Sequence, residues 1–290
     1  MIFVKKKKFI MALLITSNTA IVSTFAYDPY VLPMPTTDET IIIFYRHGET
    51  ETNAKKLVCG GGRGNDGVTD LSLNEKGRKQ AEDLGDRFSV VVKSALARDI
   101  SPEVISPIFY ASHLKRVKET AQIVQKKIAQ VTGLRATFLI EDEDLREKDS
   151  GIIEGLPNTI KKEYHHADGA SSDAWETSNA YWDKSAIPGE ETPNELLKRT
   201  LGATNKIVQA NKWKIVFIAT SGKLMRRFAA HAMDMTKLPC PVENGTAFFA
   251  RYNHETKKYT FLKAASLSNK AEYERSYREE GMPEIASIIN

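Results

Sequence analysis

The distribution of apolar positions divides the chain into short, fully apolar runs and longer stretches with helical spacing. Ile41 to Tyr45 is an unbroken apolar run rich in β-branched residues, the pattern of a strand covered on both faces. Ile108 to Ala111 and Ile215 to Ala219 repeat it, and Ala136 to Ile140 is a further strand candidate. Between them, Leu114, Val117, Ala121, Val124 and Ile128 recur at intervals of three and four, as on one face of a helix. Ser72-Leu73-Asn74-Glu75 reads as a capping box opening a helix through Ala81, Leu84 and Phe88. Thr192-Pro193-Asn194-Glu195 reads as a second box, with proline at the first helical position and a helix to about Ala210. Ser221-Gly222 opens another helix through Met225 and Phe228, and Thr246 to Tyr252 with Lys258 to Leu262 form a terminal hairpin. Strands alternating with helices predict an α/β three-layer sandwich around a mostly parallel central sheet.

The pattern also sets the boundaries. Residues 1–26 combine a lysine run, an apolar stretch from Phe9 and the small-x-small site Thr24-Phe25-Ala26, and read as a signal peptide. This predicts export to a periplasmic or extracellular space, with a mature chain beginning at Tyr27. An uncleaved N-terminal anchor is the alternative, although the apolar run is short and interrupted by Thr16 to Thr19. Residues 27–40 are a proline-spaced lead-in, 41–263 the folded domain with a cap insertion near 158–190, and 264–290 a polar tail.

Composition changes this picture little, but charge removes one class of function. The chain has 290 residues, and Lys5 to Lys8 account for the whole of its formal +4. The remainder is neutral, which argues against a nucleic-acid partner; after cleavage nothing in the sequence predicts stable membrane insertion. Cys59 and Cys240, the two cysteines, can form one disulfide or remain separate thiols. Neither sits among clustered histidines, so no metal site and no cofactor are expected. No feature sets the oligomeric state.

Reactive residues collect where three of the predicted strands end, at the edge where open α/β sheets place their sites. These are Arg46-His47-Gly48-Glu49-Thr50, Ser112-His113-Leu114-Lys115-Arg116 and Thr220-Ser221-Gly222. A neutral imidazole beside guanidinium groups suits attack on phosphorus, with the cations on the phosphoryl oxygens. Several side chains also have plain structural readings: Glu49 as a partner for a basic group, Glu190 or Glu191 at a helix N-terminus, Ser221 as a helix cap. His113, His165 and His166 read as surface histidines, and Lys126-Lys127 and Lys161-Lys162 as solvated helix faces.

In order along the chain, Arg46 to Thr50 with Asn53 is followed by Asp70-Leu71-Ser72-Leu73 through Gly77 and Gln80-Ala81. Ser112-x-Leu114-x-Arg116 with Thr120-Ala121, Leu145-Arg146-Glu147 with Glu154-Gly155, and Pro188 to Thr192 come after it. This ordered set resembles the histidine phosphatase superfamily, in the branch of cofactor-dependent phosphoglycerate mutases and small-molecule phosphatases, over about Ile41 to Leu262. The resemblance implies a phosphoglycerate mutase-like fold and a small-molecule phosphate ester as substrate. It further implies that His47 becomes phosphorylated, that Arg46, Arg116 and Asn53 hold the phosphoryl group, and that Glu147 protonates the leaving oxygen. One position departs from the pattern: the family carries a second histidine before glycine where this chain has Ser221-Gly222. A serine keeps one hydroxyl at the phosphoryl group and no positive charge, a loss of about 10²–10³ in rate by comparison with removal of a single transition-state donor. The expectation is an exported phosphomonoesterase of low or specialised activity. A non-catalytic protein that binds a phosphorylated ligand is the alternative, and mutase-type phosphoryl transfer ranks below both.

Overall fold

The computed structural model describes residues 35–61, 70–96, 108–134, 139–167, 171, 174, 178–238 and 241–265. The predicted signal peptide, the start of the predicted lead-in, Trp175, Cys240 and residues 266–290 lie outside the described residues. With Cys240 goes the question of a disulfide to Cys59.

Six strands form one sheet: β1 (Glu39–Arg46), β2 (Ile108–Ala111), β3 (Leu139–Glu141), β4 (Ile215–Thr220), β5 (Ala247–Asn253) and β6 (Lys258–Ala265). Their order is β3-β2-β4-β1-β5-β6. The pairs β1–β4, β4–β2 and β2–β3 are parallel, and β5 is antiparallel to β1 and β6. Among the described residues six α-helices accompany them: α1 (Glu51–Ala54), α2 (Glu75–Leu96), α3 (Lys115–Thr132), α4 (Ile160–Ala167), α5 (Pro193–Ala210) and α6 (Gly222–Ala232).

The unbroken apolar runs are explained by cover on both faces. Ile41, Ile43 and Tyr45 of β1 pack with Leu84 and Phe88 of α2 and with Val117, Ala121 and Val124 of α3. The alternate residues Ile42 and Phe44 point the other way, toward Leu196 and Ile207 of α5 and Leu224 and Phe228 of α6. Aromatic rings bind the layers: Phe88 of α2 lies 5.5 Å from Tyr45 and 5.4 Å from Phe217, and Phe44 lies 4.5 Å from Phe228. Truncating a buried ring of this kind typically costs about 3–5 kcal/mol.

Three sequence expectations need correction. The first strand begins at Glu39, inside the predicted lead-in, because Glu39 and Thr40 pair with Asn253 and Tyr252 of β5. The last strand runs to Ala265, past the predicted domain end, because Ala264 and Ala265 pair with Phe248 and Ala247. The helix expected from Ser72 starts at Glu75, with Asn74 as its cap: the Asn74 Oδ1 accepts from the Gly77 N–H at 2.8 Å. Leu73, which the expected box would have placed in the helix, is buried instead, and its N–H donates to Glu119 Oε2. The box at Thr192 and the helix to Ala210 are present as predicted, with Pro193 at the first position. The described part of the third strand is Leu139–Glu141.

Of the predicted cap, α4 and the segment around Ile187 are described. Ile153, Ile187 and Val58 form a small separate apolar cluster under Ile160 and Tyr164.

Candidate active site

Strand register brings the three reactive segments together. Arg46 sits beside Thr220, and Ala111 beside Ala219, so the chain leaves three adjacent strands at one edge through His47, Ser112 and Ser221. The loop after β1 is then pinned from several elements. His47 N–H donates to the Thr220 carbonyl, Gly48 N–H to Thr120 Oγ1 of α3, and Glu49 N–H to Gln80 Oε1 of α2. A Cβ on Gly48 would lie 2.2 Å from the Gly77 carbonyl oxygen, and one on Gly77 only 2.1 Å from that of Glu49. Backbone packs directly on backbone here, so both positions require glycine.

The His47 ring is buried, and its bonding fixes its tautomer. Nδ1 lies 2.7 Å from the Gly48 carbonyl, which can only accept, so Nδ1 carries the proton and Nε2 keeps a lone pair. Arg116, wholly buried on α3, donates from Nε toward that Nε2 at 3.3 Å and from a terminal nitrogen to the Gly60 carbonyl at 3.0 Å. Burial, then Arg116, then Arg46 hold the His47 pKa well below the usual imidazole value, with the Gly48 carbonyl opposing them. The ring is therefore neutral at pH 7 and able to act as a nucleophile.

This protonation difference predicts a stability profile. Below the ordinary imidazole value of about 6.5 the unfolded chain takes up a proton at His47 that the folded chain refuses. Stability contributed by this site is thus full above pH 6.5 and falls as the pH is lowered toward the depressed folded-state value. Urea unfolding at pH 7.5 and 5.5 should show a smaller acid loss for His47→Gln than for the parent chain. An equal loss in both proteins would contradict it.

Glu147 is buried on the loop after β3, and its carboxylate faces the start of α6. Oε1 accepts from the Lys148 N–H at 2.8 Å, and Oε2 lies 3.4 Å from the Lys223 N–H in the first turn of that helix. Helix N-termini favour negative charge through their unpaired N–H groups. The loop itself is held by Arg199 of α5, which donates to the carbonyls of Asp144, Arg146 and Glu147 at 2.7, 2.9 and 3.0 Å. Arg199 also pairs with both oxygens of Glu191, at 2.6 and 2.7 Å. Sequence reasoning passed over Arg199, which occurs as one more basic residue on an amphipathic helix.

Arg46, Asn53, Glu147 and Gly222 line one cavity of about 310 Å³. Arg46 donates to the Val242 carbonyl and packs against Gly222, where a Cβ would lie 3.3 Å from its Nε. Asn53 has a structural part as well: it closes a capping box with Thr50 on α1. The Asn244 amide, also absent from the sequence reading, joins the two by donating to the His47 carbonyl at 2.9 Å and to Asn53 Oδ1 at 3.4 Å. Ser221 holds the cap position of α6, but its Oγ makes no capping bond; it is buried without a hydrogen-bond partner among the described residues.

Other simple readings change. Glu190 pairs with Lys148 at 2.7 Å and Glu191 with Arg199, so neither acts merely as a helix-terminal charge. Lys161 and His165, expected on solvated surfaces, line the cavity, and His165 is buried. His166 and Lys126 are exposed as expected. Glu49 does pair with a basic group, Lys76, at 2.7 Å. Among the described residues no cluster of three or more potential metal ligands occurs, and no helix is long and apolar enough to cross a membrane.

The family model of the histidine phosphatase superfamily (branch 1) matches residues 42–261. Phosphoglycerate mutase-like protein 4 of Arabidopsis thaliana is 30% identical over 190 residues, covering 65% of this chain and 69% of the relative. Metal-independent phosphoserine phosphatase of the same plant is 28% identical over 191 residues, covering 64% and 66%. In structure, the chain is similar to phosphoglycerate mutase from Bacillus anthracis str. Sterne, with a TM-score of 0.59 and 23% identity over 84% of this chain and 98% of that one. At that identity the likeness speaks for the fold alone.

Proposed function

The chain belongs to the histidine phosphatase superfamily, and we propose that it hydrolyses phosphomonoesters through a phosphohistidine on His47. One observation carries the reading: a buried, neutral imidazole with its Nε2 lone pair turned toward Arg116, in the residue next to Arg46, which lines a cavity together with Glu147; His47 and Arg116 themselves lie outside that lining.

In the first step Arg116 moves its hydrogen bond from Nε2 to a phosphoryl oxygen. Arg46 and the N-terminus of α6 bind the remaining charge. Nε2 attacks phosphorus, the bond to the ester oxygen breaks, and Glu147 supplies the proton that this oxygen needs to leave as an alcohol. In the second step water attacks phosphorus, gives its proton to the Glu147 carboxylate, and releases phosphate as the phosphorus–nitrogen bond breaks. Such transfers depend mainly on position and charge neutralisation, which the two arginines supply. Ser221 can add a hydroxyl hydrogen bond to the phosphoryl group, and its unsatisfied Oγ is consistent with that use.

A second reading also draws on Ser221. With no cation at that position, the same pocket would bind a phosphorylated ligand without turning it over. Hydrolysis of phenyl phosphate by the purified chain across pH 4–8 separates the two. Turnover of the monoester, with diphenyl phosphate untouched, is expected. A folded protein that binds inorganic phosphate and hydrolyses neither ester would sustain the second reading.

A further inference from the structure

The strands that lead into His47 and Ser221 begin at the opposite edge of the sheet. The eight residues of β1, at about 3.3 Å each, set the two edges roughly 25 Å apart. At the far edge the link from α5 to β4 passes through Lys212-Trp213-Lys214, and Trp213 is 53% exposed. One exposed apolar residue is ordinary. This one also has a φ of 64°, in the left-handed region where a bulky side chain is strained and glycine or asparagine is at ease. The turn would form with less strain from either of those residues, so turn formation does not account for the indole.

The backbone around Trp213 is tied down on both sides. The Trp213 N–H donates to the Glu39 carbonyl at 3.1 Å, and the Ile41 N–H to the Lys214 carbonyl at 3.0 Å. Thr40 Oγ1 donates to the Asn211 carbonyl at 2.9 Å, and the His254 N–H to the Asp38 carbonyl at 2.7 Å. These bonds join residues 36–38 before β1, 212–214 before β4 and 254–258 at the β5–β6 turn into one surface. Lys212, Lys257 and Lys258 are exposed on it and Lys214 is half-buried, against the exposed carboxylates of Asp38 and Glu255. Glu39, the remaining acid of these segments, is buried and pairs with Arg251 at 3.3 Å. The described chain also starts here, at Pro35, and the 34 residues before it include Lys5 to Lys8 and the apolar stretch from Phe9.

We propose that this edge rests on an anionic lipid surface, with the Trp213 indole among the headgroups and the four lysines against their phosphates. An indole joins an apolar body to a polar N–H, the combination that concentrates tryptophan at membrane–water interfaces. Lysines beside it are drawn to anionic headgroups. The contact is adsorption of a folded surface, and it leaves the cavity on the side away from the lipid, open to a dissolved ester. Nucleic acid suits the surface less well, because single strands are bound on successive aromatic side chains and these segments hold no Phe, Tyr or Trp besides Trp213.

Binding of the full chain to vesicles tests the proposal. Vesicles of mixed phosphatidylcholine and phosphatidylglycerol should bind it more tightly than phosphatidylcholine alone, and added salt should weaken the preference. Reading Trp213 itself keeps lipid binding by residues 1–34 from being mistaken for it. With Trp175→Phe and Trp182→Phe, Trp213 is the sole tryptophan; its emission should move to shorter wavelength on the mixed vesicles and be quenched by lipids brominated near the headgroup. Trp213→Asn should weaken vesicle binding about tenfold and leave the thermal unfolding temperature unchanged or raised, since it relieves the strained backbone. Lys212→Gln and Lys214→Gln should each weaken binding about fivefold. A chain that sediments with vesicles while Trp213 stays unquenched would overturn the proposal, as would equal affinity for neutral and anionic vesicles or a strongly destabilised Trp213→Asn. Tighter binding to a single-stranded oligonucleotide than to vesicles, lost in Trp213→Asn, would overturn it in favour of nucleic acid.

Discussion

Replacement of His47 by alanine is expected to lower phenyl phosphate turnover by about 10⁴-fold or more, with the fold intact. The size follows from the loss of a nucleophile, for which water must attack phosphorus directly while only the binding and electrostatic parts of the site remain. His47 contributes through its ring, whereas its backbone holds the loop: its N–H reaches the Thr220 carbonyl and its carbonyl receives Asn244. The alanine variant keeps both bonds. Inorganic phosphate should therefore still bind the variant, and circular dichroism should match the parent. Residual turnover within tenfold of the parent would remove His47 from the reaction.

The second large effect is expected at Glu147, and its size should depend on the substrate. Glu147→Gln removes the proton donor while keeping shape and one hydrogen-bond acceptor. For alkyl phosphates, whose alcohols are poor leaving groups, the rate should fall by about 10²–10⁴. For 4-nitrophenyl phosphate, whose leaving oxygen needs little help, the fall in the first step should be much smaller, and the phosphoenzyme should accumulate because its hydrolysis has lost the base. A merely structural Glu147, acting through its bonds to Lys148 and Lys223, would give the same loss with every leaving group. Measuring kcat/KM over a series of leaving groups distinguishes the two.

Much of the layered fold is legible because its cause is local and repetitive. Apolar runs on β1, β2 and β4 announce strands covered on both faces, and the spacing of Leu114 to Ile128 announces a helix with one buried face; each of these residues is buried. Chemistry at strand ends is legible for a related reason, since a strand must stop before a reactive loop begins. What pattern could not supply is contact made at a distance. Leu73 is drawn out of the expected helix by packing and by Glu119, and Glu39 is drawn into the sheet by a strand more than two hundred residues away. Arg199 and Asn244 hold the catalytic candidates but stand alone in the sequence, and no spacing rule points to either.

The same limit applies to charge. Lys161-Lys162 reads as an ordinary solvated pair, and only the fold turns the first of them toward the cavity.

The proposed reaction requires a covalent bond between His47 Nε2 and phosphorus. Mixing the chain with 4-nitrophenyl phosphate, quenching at alkaline pH to preserve a phosphohistidine, and mapping the modified peptide by mass spectrometry tests it. One phosphoryl group on His47 is predicted, present at a higher fraction in Glu147→Gln and absent in His47→Ala. Sustained turnover with no phosphorylated peptide in either the parent or Glu147→Gln, or with the phosphoryl group on another residue, would contradict the account.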